Sequence, residues 1–352
     1  MYGRKVLFIM INRITKLFLS IVLLTLLIGC QFSDDTISDT KDNELRNEVT
    51  KSSSALYLSF TVTHAVEGSE STFESDIYYY GLKEKQVKKV ATIPYTSAYP
   101  IGVYDANDKM IYYSASATST PGQRDELYQY NVETGEITRL TSSLHCINYI
   151  IPTEDTIILG AISKGKDKTL GPKIYDKKTG EIKEISWNDD DFINQMTYNP
   201  LTKTTVFWSN SIKEEYSVLD IANNAGVNPE GIRNKIYTMQ GMECKLEFEV
   251  EKGYIHNIVA NKKGIYYQQD TSILRSSGPL SKYQYNDKTI TKITHSKIIG
   301  QTIYISEDEK EIYFVNGVEL VMQNLETNNI EVIFKADQSK EAINNAHILE
   351  KR

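Results

Sequence analysis

The sequence predicts an all-β fold, a six-bladed β-propeller of four-stranded antiparallel blades, closed by pairing of the carboxy-terminal strand with the first blade. Three observations predict it. A hairpin phrase recurs along the chain, a second strand phrase precedes its copies, and the two ends of the repeat region hold complementary fragments of one unit.

The hairpin phrase reads YQYNVETGEITRLT from Tyr128, IYDKKTGEIKEIS from Ile174, YQYNDKTITKIT from Tyr283 and VMQNLETNNIEVIF from Val321, with a looser copy, YYYGLKEKQVKKVA, from Tyr78. Each copy has an alternating strand, a polar turn with Gly or Asn where a positive φ is wanted, and a second alternating strand. Upstream lies a strand, turn and β-rich strand: DANDKMIYYSAS from Asp105, PTEDTIILGAIS from Pro152, NPLTKTTVFWSN from Asn199, NKKGIYYQQD from Asn261 and SEDEKEIYFVNG from Ser306. Together the two phrases give four strands per unit. Opening strands near Tyr99, His145, Ile193, Ile255 and Ile298 set a period of about 43 to 48 residues with one longer unit, within the range of propeller blades.

The count of blades rests on the termini. SALYLSFTV from Ser54 and the Tyr78 hairpin supply only three strands, and INNAHILEKR at the carboxy terminus supplies a fourth. Pairing them closes the ring and leaves no open edge. The longer unit carries ANNAGVNPEGIRNK, after YSVLDI, as an insertion around residues 221–234; its Pro-Glu pair suits the start of a short helix, and strand counting places it on the face opposite the long links.

With these phrases in hand, the chain resembles the TolB-type repeat of six-bladed propellers in bacterial envelopes, over nearly all of Ser54 to Arg352. The resemblance rests on repeat periodicity and implies the fold and an envelope location, without naming an activity.

Ahead of the propeller the chain reads as an export signal and a tether. Arg4, Lys5, Arg13 and Lys16 precede an apolar run from Leu17 to Ile28, which has the length of a signal h-region and is too short to span a bilayer. It closes on Leu27-Ile28-Gly29-Cys30, which resembles the lipobox of bacterial lipoproteins. Residues 1–29 are therefore expected to be removed, and Cys30 to carry lipid at the extracytoplasmic face of the cell membrane. Met10 stands beside Met1 as a second start, since MINRITK has the form of a short basic n-region. Residues 30–53 are polar and acidic and cannot bury enough surface to fold. As a flexible coil they span roughly 25 to 30 Å.

Residues 1–29 hold four basic and no acidic side chains, so their removal takes the net charge from −7 to −11, which excludes a nucleic-acid partner. GxSxG, HExxH, paired CxxC, P-loop and dinucleotide motifs are all missing, so no catalytic residue or cofactor is assigned. His145, His256 and His347 fall on or beside opening strands, but counting back from the turns puts His145 and His256 at different depths, which argues against a metal site. Cys146 and Cys244 read as small half-buried hydrophobes rather than a framework disulfide. Tyrosines 78–80, 112–113 and 266–267 sit at repeat-equivalent strand positions, where packing between blades explains them better than sugar binding.

Loop length locates the working face. The links from Gly68, Ser116, Ser163 and Asp270 are long and share one rim, on which Arg124, Lys166 and Arg275 are the cations expected to meet an anionic group of a partner. The expected function is a non-catalytic binding module for a protein, peptide or glycan. The competing reading is an envelope enzyme, glycan-cleaving or metal-dependent, with its site in the central channel.

Overall fold

The structure is a computed structural model that describes residues 55–66, 73–94, 100–117, 124–165, 169–188, 190–226, 231–270, 278–293 and 300–352. Six four-stranded antiparallel sheets are arranged as the blades of a propeller. Blade 1 holds β1 (Ala55–Ala65), β2 (Phe73–Gly81) and β3 (Gln86–Pro94), with β24 (Glu341–Lys351) as its innermost strand. Blade 2 is β4 (Gly102–Asp105), β5 (Met110–Ser116), β6 (Asp125–Asn131) and β7 (Ile137–Arg139). Blade 3 is β8 (Leu144–Pro152), β9 (Thr156–Ser163), β10 (Gly171–Asp176) and β11 (Ile182–Glu184). Blade 4 is β12 (Asp191–Asn199), β13 (Thr204–Ser211), β14 (Asn234–Gln240) and β15 (Glu243–Val250), with helix α1 (Ile212–Ala225) between β13 and β14. Blade 5 is β16 (Tyr254–Asn261), β17 (Gly264–Asp270), β18 (Leu280–Gln284) and β19 (Ile290–Ile293). Blade 6 is β20 (Gln301–Ile305), β21 (Glu311–Val315), β22 (Glu319–Asn324) and β23 (Ile330–Lys335).

The repeated phrase has a single local geometry. In the turn after β6, Asn131 Oδ1 accepts from the amides of Glu133 and Thr134, and Gly135 N, at φ 75°, closes on Asn131 O at 2.8 Å. Asp176 and Gly180 repeat this after β10, and Asn324 and Asn328 after β22. The fifth residue must enter the left-handed region, which is why Gly or Asn recurs there; Lys85 and Lys288 adopt the same φ sign in the other two hairpins.

The ring closes as the termini predict. β24 pairs antiparallel with β1, from Ala55 opposite Lys351 to His64 opposite Glu341. Its Ile343, Ile348 and Leu349 enter the packing. The core is divided into six clusters lying between neighbouring blades rather than one central mass. The tyrosines belong to it: Tyr78 packs on Phe60 and Phe334, Tyr79 stacks on Tyr57, and Tyr112, Tyr113, Tyr266 and Tyr267 are buried. Inner strands are stitched by side chains bonded to the next blade's backbone. Thr61 Oγ1 donates to Gly102 O at 2.7 Å, Thr197 Oγ1 to Ile258 O at 3.1 Å and Asn261 Nδ2 to Ser306 O at 3.1 Å.

The insertion departs from expectation. The helix begins after Ser211, not at the Pro-Glu pair, and takes in Tyr216–Ile221, the segment that strand counting treats as a strand ahead of the insertion. Ser211 caps it, Glu214 and Glu215 favour the first turn, and Gly226 ends it at φ 64°. Because it links a second strand to a third, it leaves on the same face as the long links, not the opposite one. Residues 227–230, with the Pro-Glu pair, lie outside the described residues.

Candidate functional site: the long-link face

Strand order sorts every connection onto one of two faces. Turns from first to second and from third to fourth strands share one face and hold two to five residues. Links from second to third strands share the other. They run over 66–72, 117–124, 164–170, 212–233 and 271–279, with only blade 6 reduced to 316–318. β1 starts, and β24 ends, on the short-turn face. Arg124 lies at the long-link face, at the entry to β6. Lys166 and Arg275 belong to links of the same face but lie outside the described residues, as does Cys30.

Beneath this face the start of the third strand carries a charged residue held in its own blade. Asp76 accepts from Lys89 and Thr92 at 2.7 Å each, and Lys173 Nζ reaches Glu184 at 2.6 Å. Lys235 reaches both oxygens of Asp191, at 3.1 and 3.0 Å, and Glu319 pairs with Lys335 at 2.7 Å. Burial acts to raise the pKa of Asp76, but the hydrogen bonds from Lys89 and Thr92 outweigh it and hold the carboxyl below its usual range. These pairs clamp the strand ends from which the links depart.

In blade 2 the clamp involves Arg124 itself. Its Nε lies 3.0 Å from Glu126 Oε1 and its NH2 donates to Ser142 O at 2.6 Å. Glu126 is fully buried, and its other oxygen accepts from Thr141 Oγ1 at 2.7 Å and Leu144 N at 3.1 Å, tying blade 2 to the first strand of blade 3. Arg124, expected from the sequence to meet an anionic group of a partner, is here the cation paired with a buried carboxylate of its own blade. Arg124→Ala leaves a buried carboxylate without its cation. Because the guanidinium is 27% exposed, water replaces part of the loss. The expected cost is about 1–3 kcal/mol, read as a lower denaturant midpoint at unchanged slope.

α1 is the largest element on this face. Only Ala222 is buried, while Tyr216 is 38% and Ile221 63% exposed. Val218 and Ile232 line a groove of about 290 Å³ at its base, with Glu214, Arg233 and Glu251 around them. Ile212, Val218 and Leu219 are half-buried, so the exposed apolar surface of the helix is that of Tyr216 and Ile221.

At one level the innermost strands are joined by buried side-chain amides bonded to backbone. Gln195 donates to Thr302 O at 3.0 Å and accepts from Ile258 N at 2.9 Å, joining blades 4, 5 and 6. Asn257 accepts from Thr302 N at 2.9 Å, and Asn345 donates to Gly102 O at 3.3 Å. The histidines stand at three different levels. His145 and His256 are extra residues in β-bulges of β8 and β16, whereas His347 lies opposite Ser59 on β24. Burial drives His347 down to about 4, so it is neutral at pH 7. Among the described residues no group of three His, Cys, Asp or Glu is placed to hold a metal ion. Cys146 and Cys244 are both free thiols, pushed up by burial to about 12 and about 11.

No protein-family model matches the chain, and no curated protein matches it. Solved structures do. The chain is similar to one in the crystal structure of a nidogen/laminin complex, at 11% identity and a TM-score of 0.49, over 83% of this chain and 98% of that one. It is also similar to the crystal structure of TolB from Acinetobacter baumannii, at 16% identity and a TM-score of 0.47, over 83% of this chain and 66% of that one.

Proposed function

We propose that the protein is a lipid-tethered, non-catalytic binding module of the cell envelope, whose long-link face engages a protein partner. The observation that carries the reading is the asymmetry of the two faces. Five of the six second-to-third-strand links, α1 included, extend one face, while the other is kept to turns of two to five residues. Variable length concentrated on one rim of a rigid ring is the arrangement in which loops bind and the scaffold holds them.

β1 begins on the short-turn face, opposite the long links. Side-chain amides that join the innermost strands, and histidines at separate depths, favour binding over the enzyme reading.

Two measurements test the proposal. Labelling with a palmitate analogue should mark the wild-type protein and not Cys30→Ala, which should accumulate as unprocessed precursor. The wild-type protein, extracted from membranes after crosslinking, should bring one protein partner with it in near-stoichiometric amount. Label retained by Cys30→Ala would remove the lipid anchor from the proposal, and extraction of the protein alone would remove the partner.

A further inference from the structure

Where blade 4 meets blade 5, the short-turn face opens into a cleft of about 440 Å³, within the range of about 300–1,000 Å³ common for small-ligand sites. Two other junctions on this face are latched by ion pairs. Lys177 of blade 3 reaches Asp108 and Asp105 of blade 2 at 2.6 and 3.3 Å. Glu309 of blade 6 is held by Lys263 and Lys282 of blade 5. At the turn position of Lys177, blade 5 carries Tyr285, whose ring lines the cleft instead of bridging it. Among the described residues no side chain of the cleft bonds across it.

The facing wall is a fixed polar array. Thr238 Oγ1 donates to Glu247 at 2.7 Å, Lys245 pairs with the same carboxylate at 2.9 Å, and Gln240 Nε2 donates to Thr204 Oγ1 at 2.7 Å. These bonds hold the Glu247 charge against Lys245, with the Glu243 carboxylate on the same wall, and leave Gln240 Oε1 as an acceptor. Across from it Tyr285 offers a hydroxyl with no partner among the described residues, and Lys262 an ammonium. Burial raises the Tyr285 phenol well above its ordinary pKa, so it stays neutral and can donate.

We infer that this cleft binds a short neutral saccharide of one or two rings. An apolar ligand would find a single ring of apolar surface, and an ion would meet like charge on one side or the other. A neutral ring rich in hydroxyls satisfies donors and acceptors on both walls while its C–H face lies on Tyr285. The site is on the face opposite the proposed protein interface and stands or falls without it.

The test titrates full-length protein, in a detergent without a sugar headgroup, with chitobiose, maltose and cellobiose, and with glycylglycine as the zwitterionic comparison. Ligand-observed NMR should show saturable binding of at least one disaccharide and none of the dipeptide. Tyr285→Phe, which keeps the ring and its packing, should weaken binding about tenfold at an unchanged melting temperature, and Lys262→Ala should weaken it too. Failure of all three sugars to saturate, preference for glycylglycine, or wild-type affinity in both variants overturns the assignment.

Discussion

A chain truncated before Ala342 aggregates and shows no cooperative melting transition. The truncation removes nearly all of β24, the innermost strand of blade 1. Three buried apolar side chains leave with it, Ile343, Ile348 and Leu349, worth together about 5–9 kcal/mol of burial. That approaches the whole stability of an ordinary domain, about 5–15 kcal/mol. The loss also strips Ser59, Thr61 and their neighbours on β1 of their ladder partners, leaving an open inner edge. Sedimentation velocity and near-ultraviolet circular dichroism check the outcome. A soluble monomer melting with the full-length protein would mean that β24 does not close the ring.

This closure was legible in the sequence because it follows from counting. Three strands before the first complete unit and one strand after the last can satisfy their edges only with each other. The hairpin turns were legible for a different reason: Gly135, Gly180 and Asn328 stand where the backbone must take a positive φ, so the local chemistry declares itself. α1 was not legible. Tyr-Ser-Val-Leu-Asp-Ile alternates well enough to pass for a strand, and the helix is fixed instead by Ser211, the acidic first turn and Gly226, which lie outside that segment.

Site chemistry was harder still to read. Arg124 was recognisable as a loop cation, but its pairing with Glu126 depends on how deeply the start of β6 is buried, and periodicity does not report depth. The cleft beside Tyr285 arises from two blades meeting without a latch. Its one sequence signal is an aromatic residue at a turn position that holds Val132, Lys177 or Leu325 in other copies.

Substitutions on the two faces should separate sharply in their effect on the partner. Ile221→Ser removes the most exposed of the large apolar side chains, and Lys166→Ala with Arg275→Ala removes two loop cations from the same face. The triple variant should lose partner binding by at least about tenfold, since a central apolar anchor commonly contributes 2 kcal/mol or more. Its melting temperature should hold, because a side chain 63% exposed contributes little burial to the fold. Arg124 is left in place so that its buried partner does not confound the comparison. The matched control is Glu133→Lys with Glu181→Lys, in the short turns after β6 and β10. Glu133 pairs with Lys109 at the surface, both side chains being more than half exposed, so reversal there costs at most about 1 kcal/mol and should leave binding intact.

The interface itself is tested most directly by site-specific photocrosslinking in intact cells, with benzoylphenylalanine placed at Ile221 in one strain and at Thr134 in another. The long-link face as binding surface predicts one discrete adduct from position 221, containing a second protein, and no adduct from position 134. Adducts from position 134 alone, or equal yields of the same adduct from both, would contradict it.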